Sequence, residues 1–181
     1  MELKFLIFIF VTLPFVNCVE NKPRFFEQEV EKINKYVGKK IAGNKLFLNG
    51  FLAEGYTGFI YAGKFIENDL SEVPVAIKFY PIYRSRTFEN VIKISKKLGA
   101  IEKPQIEGKG FPNIYYHGES KFKCENGEWE SYYLIAMTKL DRSLEDILKK
   151  ETIHPLDMLI FFKQFVILSE QMHTSGVSHG D

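Results

Sequence analysis

Two stretches of β-forming residues constrain this chain more than anything else in it. From Leu46 to Tyr61 it is rich in β formers and glycine, and Phe65 with Val73 to Tyr80 extends the pattern, which predicts strands. Asn68-Asp69-Leu70-Ser71 between them has the chemistry of a hairpin loop. Thr87 to Leu98 predicts a helix, with Gly99 as its stop signal. Gly108 to Gly118 reads as loop then strand, Asn126-Gly127 as a hairpin turn, and Tyr132 to Met137 as an apolar strand. The material then changes. Ser143 to Lys150 predicts a short helix, and Leu156 to Met172 a long one, apolar on nearly every face, as in a helix buried within a larger structure. Strands with one helix, followed by helices, make an α+β chain: an antiparallel sheet plus one helix, then the start of a helical lobe.

Hydrophobic residues make up 45% of the 181, enough for a core, and the net charge of +1 gives no field that argues for nucleic acid. Phe26, Val30, Ile33 and Val37 recur at helical spacing, so 25–38 is a predicted amphipathic helix, punctuated afterwards by Gly38 and Gly43. Residues 1–18 differ. Lys4 precedes an almost wholly apolar run, Phe5 to Val16, with Val16 and Cys18 placed as the small residues before a cleavage at Val19. This is the pattern of a signal peptide, too short to span a bilayer, and it implies a secreted product with no stable membrane span. A buried N-terminal helix or a signal anchor are the alternatives. After cleavage Cys124 is the sole cysteine, so no intramolecular disulfide is expected, and no glycosylation sequon is present.

Four segments carry chemistry. Leu52-Ala53-Glu54-Gly55-Tyr56-Thr57-Gly58-Phe59-Ile60-Tyr61-Ala62-Gly63 is a glycine hairpin, by itself of a kind many folds use. Val75-Ala76-Ile77-Lys78 is an apolar strand ending in lysine, which alone reads as an edge charge. Tyr132 to Met137 runs into Thr138-Lys139-Leu140-Asp141-Arg142-Ser143-Leu144-Glu145-Asp146. Met172-His173-Thr174-Ser175-Gly176-Val177-Ser178-His179-Gly180-Asp181 follows the apolar helix.

In this order, the four resemble the protein kinase superfamily, and the third is similar to the casein-kinase-one-like group. The first is similar to the glycine-rich loop G-x-G-x-x-G, with Ala53 in place of the first glycine and Gly55 and Gly58 at the other two. Val75 to Lys78 matches the V-A-I-K strand. The fourth resembles the approach to H-R-D, with glycine in the arginine position, as in vaccinia-related kinases. The resemblance implies a kinase N-lobe at 46–138 and the start of an incomplete C-lobe at 141–181, behind a signal peptide (1–18) and an N-terminal helical extension (19–45). It implies ATP as cofactor, with Ala53, Gly55, Gly58, Ile60, Ala76, Lys78, Met137, Lys139 and Leu140 around it. Lys78 would contact its phosphates, Ile60 would lie on the adenine, and Met137 would be the gatekeeper. Asp181 would be the catalytic aspartate, supported by His179. A carboxylate must hold Lys78; Glu89 is the candidate, and Glu102 or Glu107 compete.

The family's metal-binding asparagine and D-F-G aspartate fall after the last residue given. Mg²⁺ is therefore expected only if the chain continues, and the fragment itself is not expected to transfer phosphate. It is then an incomplete copy of a secreted Ser/Thr kinase, or a kinase-like interaction module without transfer. A small secreted α+β binding protein is the reading outside the family.

Overall fold

The computed structural model describes residues 26–101, 111–140 and 153–177. The predicted helix at Ser143 to Lys150, and Glu102, Glu107, His179 and Asp181, lie outside them.

Six antiparallel strands form one sheet: β1 (Lys40–Ile41), β2 (Leu46–Gly55), β3 (Gly58–Ile66), β4 (Glu72–Pro81), β5 (Ile114–Lys123) and β6 (Trp129–Thr138), in spatial order β1-β2-β3-β4-β6-β5. Among the described residues three α-helices accompany it: α1 (Glu27–Asn34), α2 (Ser85–Lys97) and α3 (Pro155–Thr174). The chain is thus α+β, as the order of elements predicts. β3 and β4 are joined through the expected loop, where the Asp69 carboxylate accepts from the Ser71 amide at 2.9 Å. Gly127 takes φ of +86° in the Asn126-Gly127 turn, and Gly99 takes +71° after α2.

β4 explains why its sequence is almost uninterruptedly apolar. Every residue from Val75 to Pro81 is buried, since β4 lies in mid-sheet with both faces covered. Val75, Ile77 and Phe79 face one core, shared with Phe26 and Ile33 at α1, Phe59 and Tyr61 of β3, and Leu134 of β6. Phe59 and Phe79 stack there, ring centroids 5.2 Å apart. Ala76 and Tyr80 face a second core with Phe88 of α2, Ile60, Ile135 and Met137.

The segment before Leu46 belongs to the same body as the sheet. Tyr61 donates its hydroxyl to the Asn34 side chain at 2.8 Å and also reaches the Val30 carbonyl at 3.1 Å, tying α1 to β3. The helix predicted to 38 ends four residues early, because the chain turns after Asn34 to add β1 to the sheet edge; Val37 is left exposed. The sheet coils until Tyr36 meets the far edge strand: its hydroxyl accepts from the Lys123 amide at 2.6 Å, and its ring meets Phe122 edge-on. A hollow of about 570 Å³ lies between Lys40–Asn44 and Glu119–Phe122. None of its lining residues belongs to the candidate site described below.

α3 packs on the other described residues through one apolar stripe. Phe161, Leu168 and Met172 are buried with Phe111 and Val177, against Ile94 and Leu98 at the end of α2. Leu156, Leu159, Ile160, Phe162, Val166 and Ile167 remain exposed. No helix among the described residues is long and apolar enough to cross a membrane.

Candidate functional site

Directly paired residues of antiparallel strands point to the same face. Ala53 pairs with Ile60, Ile60 with Lys78, and Lys78 with Ile135, so these four form a row across β2, β3, β4 and β6. The adjacent row is Ala62, Ala76, Met137 and Ile114. Two register shifts in β2, which break the regular pairing, bring Ala53 rather than Phe51 opposite Ile60. The structure therefore gathers Ala53, Ile60, Ala76, Lys78 and Met137 on one face of the sheet.

Lys78 is the unusual member. It is 5% exposed, between two isoleucines. Removal from water pushes its ammonium down to about 8 from the usual 10.5. Among the described residues no carboxylate lies within ion-pair distance of it. Its Nζ instead stands over the Tyr80 ring, 4.9 Å from the centroid. The Tyr80 hydroxyl is itself fully buried and finds no hydrogen-bond partner among the described residues, and burial pushes its pKa well above the usual tyrosine value.

Glu89 does not meet Lys78. It is exposed, while its neighbour Phe88 turns inward, stacking on Tyr133 at 4.6 Å and meeting Tyr80 at 6.0 Å. Phe88, Val91, Ile92 and Ser95 make the inward stripe of α2 at helical spacing, and Glu89 falls outside it. Glu89 is also the only acid in α2, so this helix supplies no partner to the lysine.

The glycine hairpin closes through Gly55 paired with Gly58, with Tyr56 and Thr57 at its tip. The tip leans toward the start of α2: the Arg84 guanidinium carbon lies 5.2 Å from the Tyr56 ring centroid. The Arg84 Nε is buried there without a hydrogen-bond partner. Gly58 has a packing reason to be glycine, because a β-carbon would overlap the Phe79 carbonyl oxygen. Gly55 has open space, its nearest neighbour 3.9 Å from an added β-carbon.

At the other end of the face, β6 stops at Thr138, so Lys139 and Leu140 lie beyond the sheet, half-buried. Asn113 fixes this point, its amide donating to the Thr138 hydroxyl and its carbonyl accepting from the Thr138 amide, both at 3.0 Å. Tyr80, Arg84 and Tyr56 were not picked out by motif. Tyr80 was findable, since residues two apart in a strand share a face. Among the described residues no group of three or more His, Cys, Asp or Glu is placed to hold a metal ion, so none is assigned to Mg²⁺.

Chemically, this is an apolar floor with one buried cation that no carboxylate of the described residues neutralises, a glycine hairpin at its edge and the half-buried Lys139 and Leu140 at its far end. It suits a flat apolar body carrying an anionic tail. No protein-family model matches the chain, and no curated protein does.

Proposed function

We propose that the face carrying Lys78 is a nucleotide clamp of the protein-kinase kind, taking the base of ATP over Ile60, Ala76 and Met137 and its phosphates at Lys78. The observation that carries this reading is the burial of Lys78 with no carboxylate of the described residues beside it. A lysine on an apolar floor is costly to keep charged, and an arriving phosphate supplies the missing counter-charge. The hairpin of Gly55 and Gly58, on the strand pair adjoining β4, supports the same reading. So do Lys139 and Leu140, outside the sheet beside Met137, where the base edge would meet backbone.

On this reading the chain's own residues would hold ATP. Lys78 would bind and orient phosphate oxygens, the hairpin would approach them without side chains at Gly55 and Gly58, and Met137 would limit the depth of the base. Phosphoryl transfer needs more, since in protein kinases the lysine–glutamate pair must also be in place. Glu89, exposed and outside the inward stripe of α2, would not make that pair, so the reading is confined to nucleotide binding. Glu102 or Glu107 reaching Lys78 would separate the active Ser/Thr kinase from the kinase-like interaction module.

Calorimetric titration of the full chain with ATP, with and without Mg²⁺, tests the clamp. Binding is expected, weakened roughly tenfold or more by Lys78→Met through loss of a charge-assisted contact. Absence of binding by the wild-type protein at millimolar ATP, or equal binding by the variant, refutes it.

A further inference from the structure

We infer that the Tyr80 ring is the seat that positions the Lys78 ammonium, standing where a carboxylate from α2 would otherwise be. Lys78 and Tyr80 are two apart on β4 and therefore share a face, and the Nζ lies over the ring at 4.9 Å. A cation over an aromatic face within about 6 Å is attracted by the ring's quadrupole, the more so when water is excluded. Both residues are buried, at 5% and 0% exposure.

The surroundings leave few other candidates for the role. β3 presents Ile60 beside Lys78, β6 presents Ile135, and α2 presents Phe88 to the same core. None of these carries charge. Beyond Ile135 the row continues to His117, whose imidazole is held below its usual value by burial and by Lys96, so it offers no negative partner. The ring is itself fixed by Phe88, 6.0 Å away, which is fixed by its stack on Tyr133. Tyr80 would thus be a positioning residue: it aims the ammonium without neutralising it, leaving the full positive charge for an anion. Its value for phosphate binding rests on the nucleotide reading; the seat itself does not.

The test is nuclear magnetic resonance of the full chain carrying ¹³C-labelled lysine, with the Lys78 signal assigned by its loss in Lys78→Arg. In the wild type the Lys78 Hε resonances should be shifted upfield by the ring current. Tyr80→Phe, which keeps the ring, should preserve that shift and the titration midpoint. Tyr80→Met should abolish the shift and lower the midpoint by roughly one pH unit. A wild-type spectrum without the ring-current shift overturns the inference, as does a Tyr80→Met midpoint equal to the wild type's. Should Tyr80→Met not fold, the wild-type and Tyr80→Phe spectra decide the matter on the ring-current shift. ATP is added as a separate arm. A shifted Lys78 resonance that ignores ATP supports the seat while refuting the clamp, and an unshifted resonance that responds to ATP does the reverse.

Discussion

Gly58 lies so close to Phe79 on the neighbouring strand that a β-carbon on it would overlap the Phe79 carbonyl oxygen. The two glycines of the hairpin therefore do different things. Gly58 lets β3 and β4 approach, while Gly55 leaves an open surface at the mouth of the candidate site.

Gly58→Ala is expected to destabilise the chain by about 3 kcal/mol or more, since backbone on both sides must move. Gly55→Ala should change stability by about 0.5 kcal/mol or less. It should nonetheless weaken ATP binding, by placing a methyl group where phosphates would approach the backbone. Denaturant unfolding of both variants, with nucleotide titration of the second, checks the division. Equal stability losses would show that the hairpin is packed differently.

The buried lysine gives a pH signature with a definite sign. Its folded value is about 8 against 10.5 unfolded, so between those limits the unfolded chain binds more protons. Lys78 therefore opposes folding fully below about pH 8, and the penalty disappears as pH rises to about 10.5. Lys78→Met should be more stable than wild type at pH 7, by up to about 3 kcal/mol. The difference should shrink to nothing near the upper limit. Tyr61 and Tyr132, which burial raises, are common to both proteins and cancel in the comparison. Equal stability at pH 7 would place Lys78 in water.

How much of this was legible beforehand depended on where local pattern and packing agree. β4 and α2 were readable because Val73 to Tyr80 is apolar but for Lys78 and Gly99 marks the helix end. β6 begins at Trp129, three residues earlier than its apolar run, because the Asn126-Gly127 turn starts pairing at once. β1 was not readable, being two residues held only by their partners in β2. In the site, the resemblance of two segments to the kinase glycine loop and V-A-I-K strand names Ile60 and Lys78, and it names Glu89 only as an acid on the helix that follows. The spacing of Phe88, Val91, Ile92 and Ser95 already fixes the inward stripe, and it leaves Glu89 outside. Tyr80 escaped because a tyrosine in an apolar strand reads as core, and it is core; what marks it is the lysine over its ring.

Tyr61 holds α1 to the sheet through a hydroxyl that serves Asn34 and Val30 together. Tyr61→Phe removes both contacts and keeps the ring, so the expected cost is about 1–2 kcal/mol. Because the tie is local, amide exchange should quicken in 27–34 and in β1 before it does in β4. Asn34→Ala should show a coupled, not additive, loss in the double variant. Uniform faster exchange throughout the sheet would mean that α1 is not a separable unit.

The last expectation concerns α3. Leu159 is 65% exposed, Val166 63% and Phe162 54%, on a helix that also leaves Leu156, Ile160 and Ile167 exposed. Burying such a side chain is worth roughly 1.5–3 kcal/mol, so a second copy covering the stripe lowers the free energy of both. The protein should therefore self-associate at micromolar concentration. Replacing Leu159, Phe162 and Val166 together by glutamine should shift it toward monomer without loss of thermal stability, since none of the three belongs to the buried cluster of Phe161, Leu168 and Met172. Sedimentation velocity of the two proteins at matched concentration measures this. A wild type that stays monomeric at high concentration would show that the exposed stripe does not drive association, and a triple variant that unfolds would show that these side chains support the fold itself.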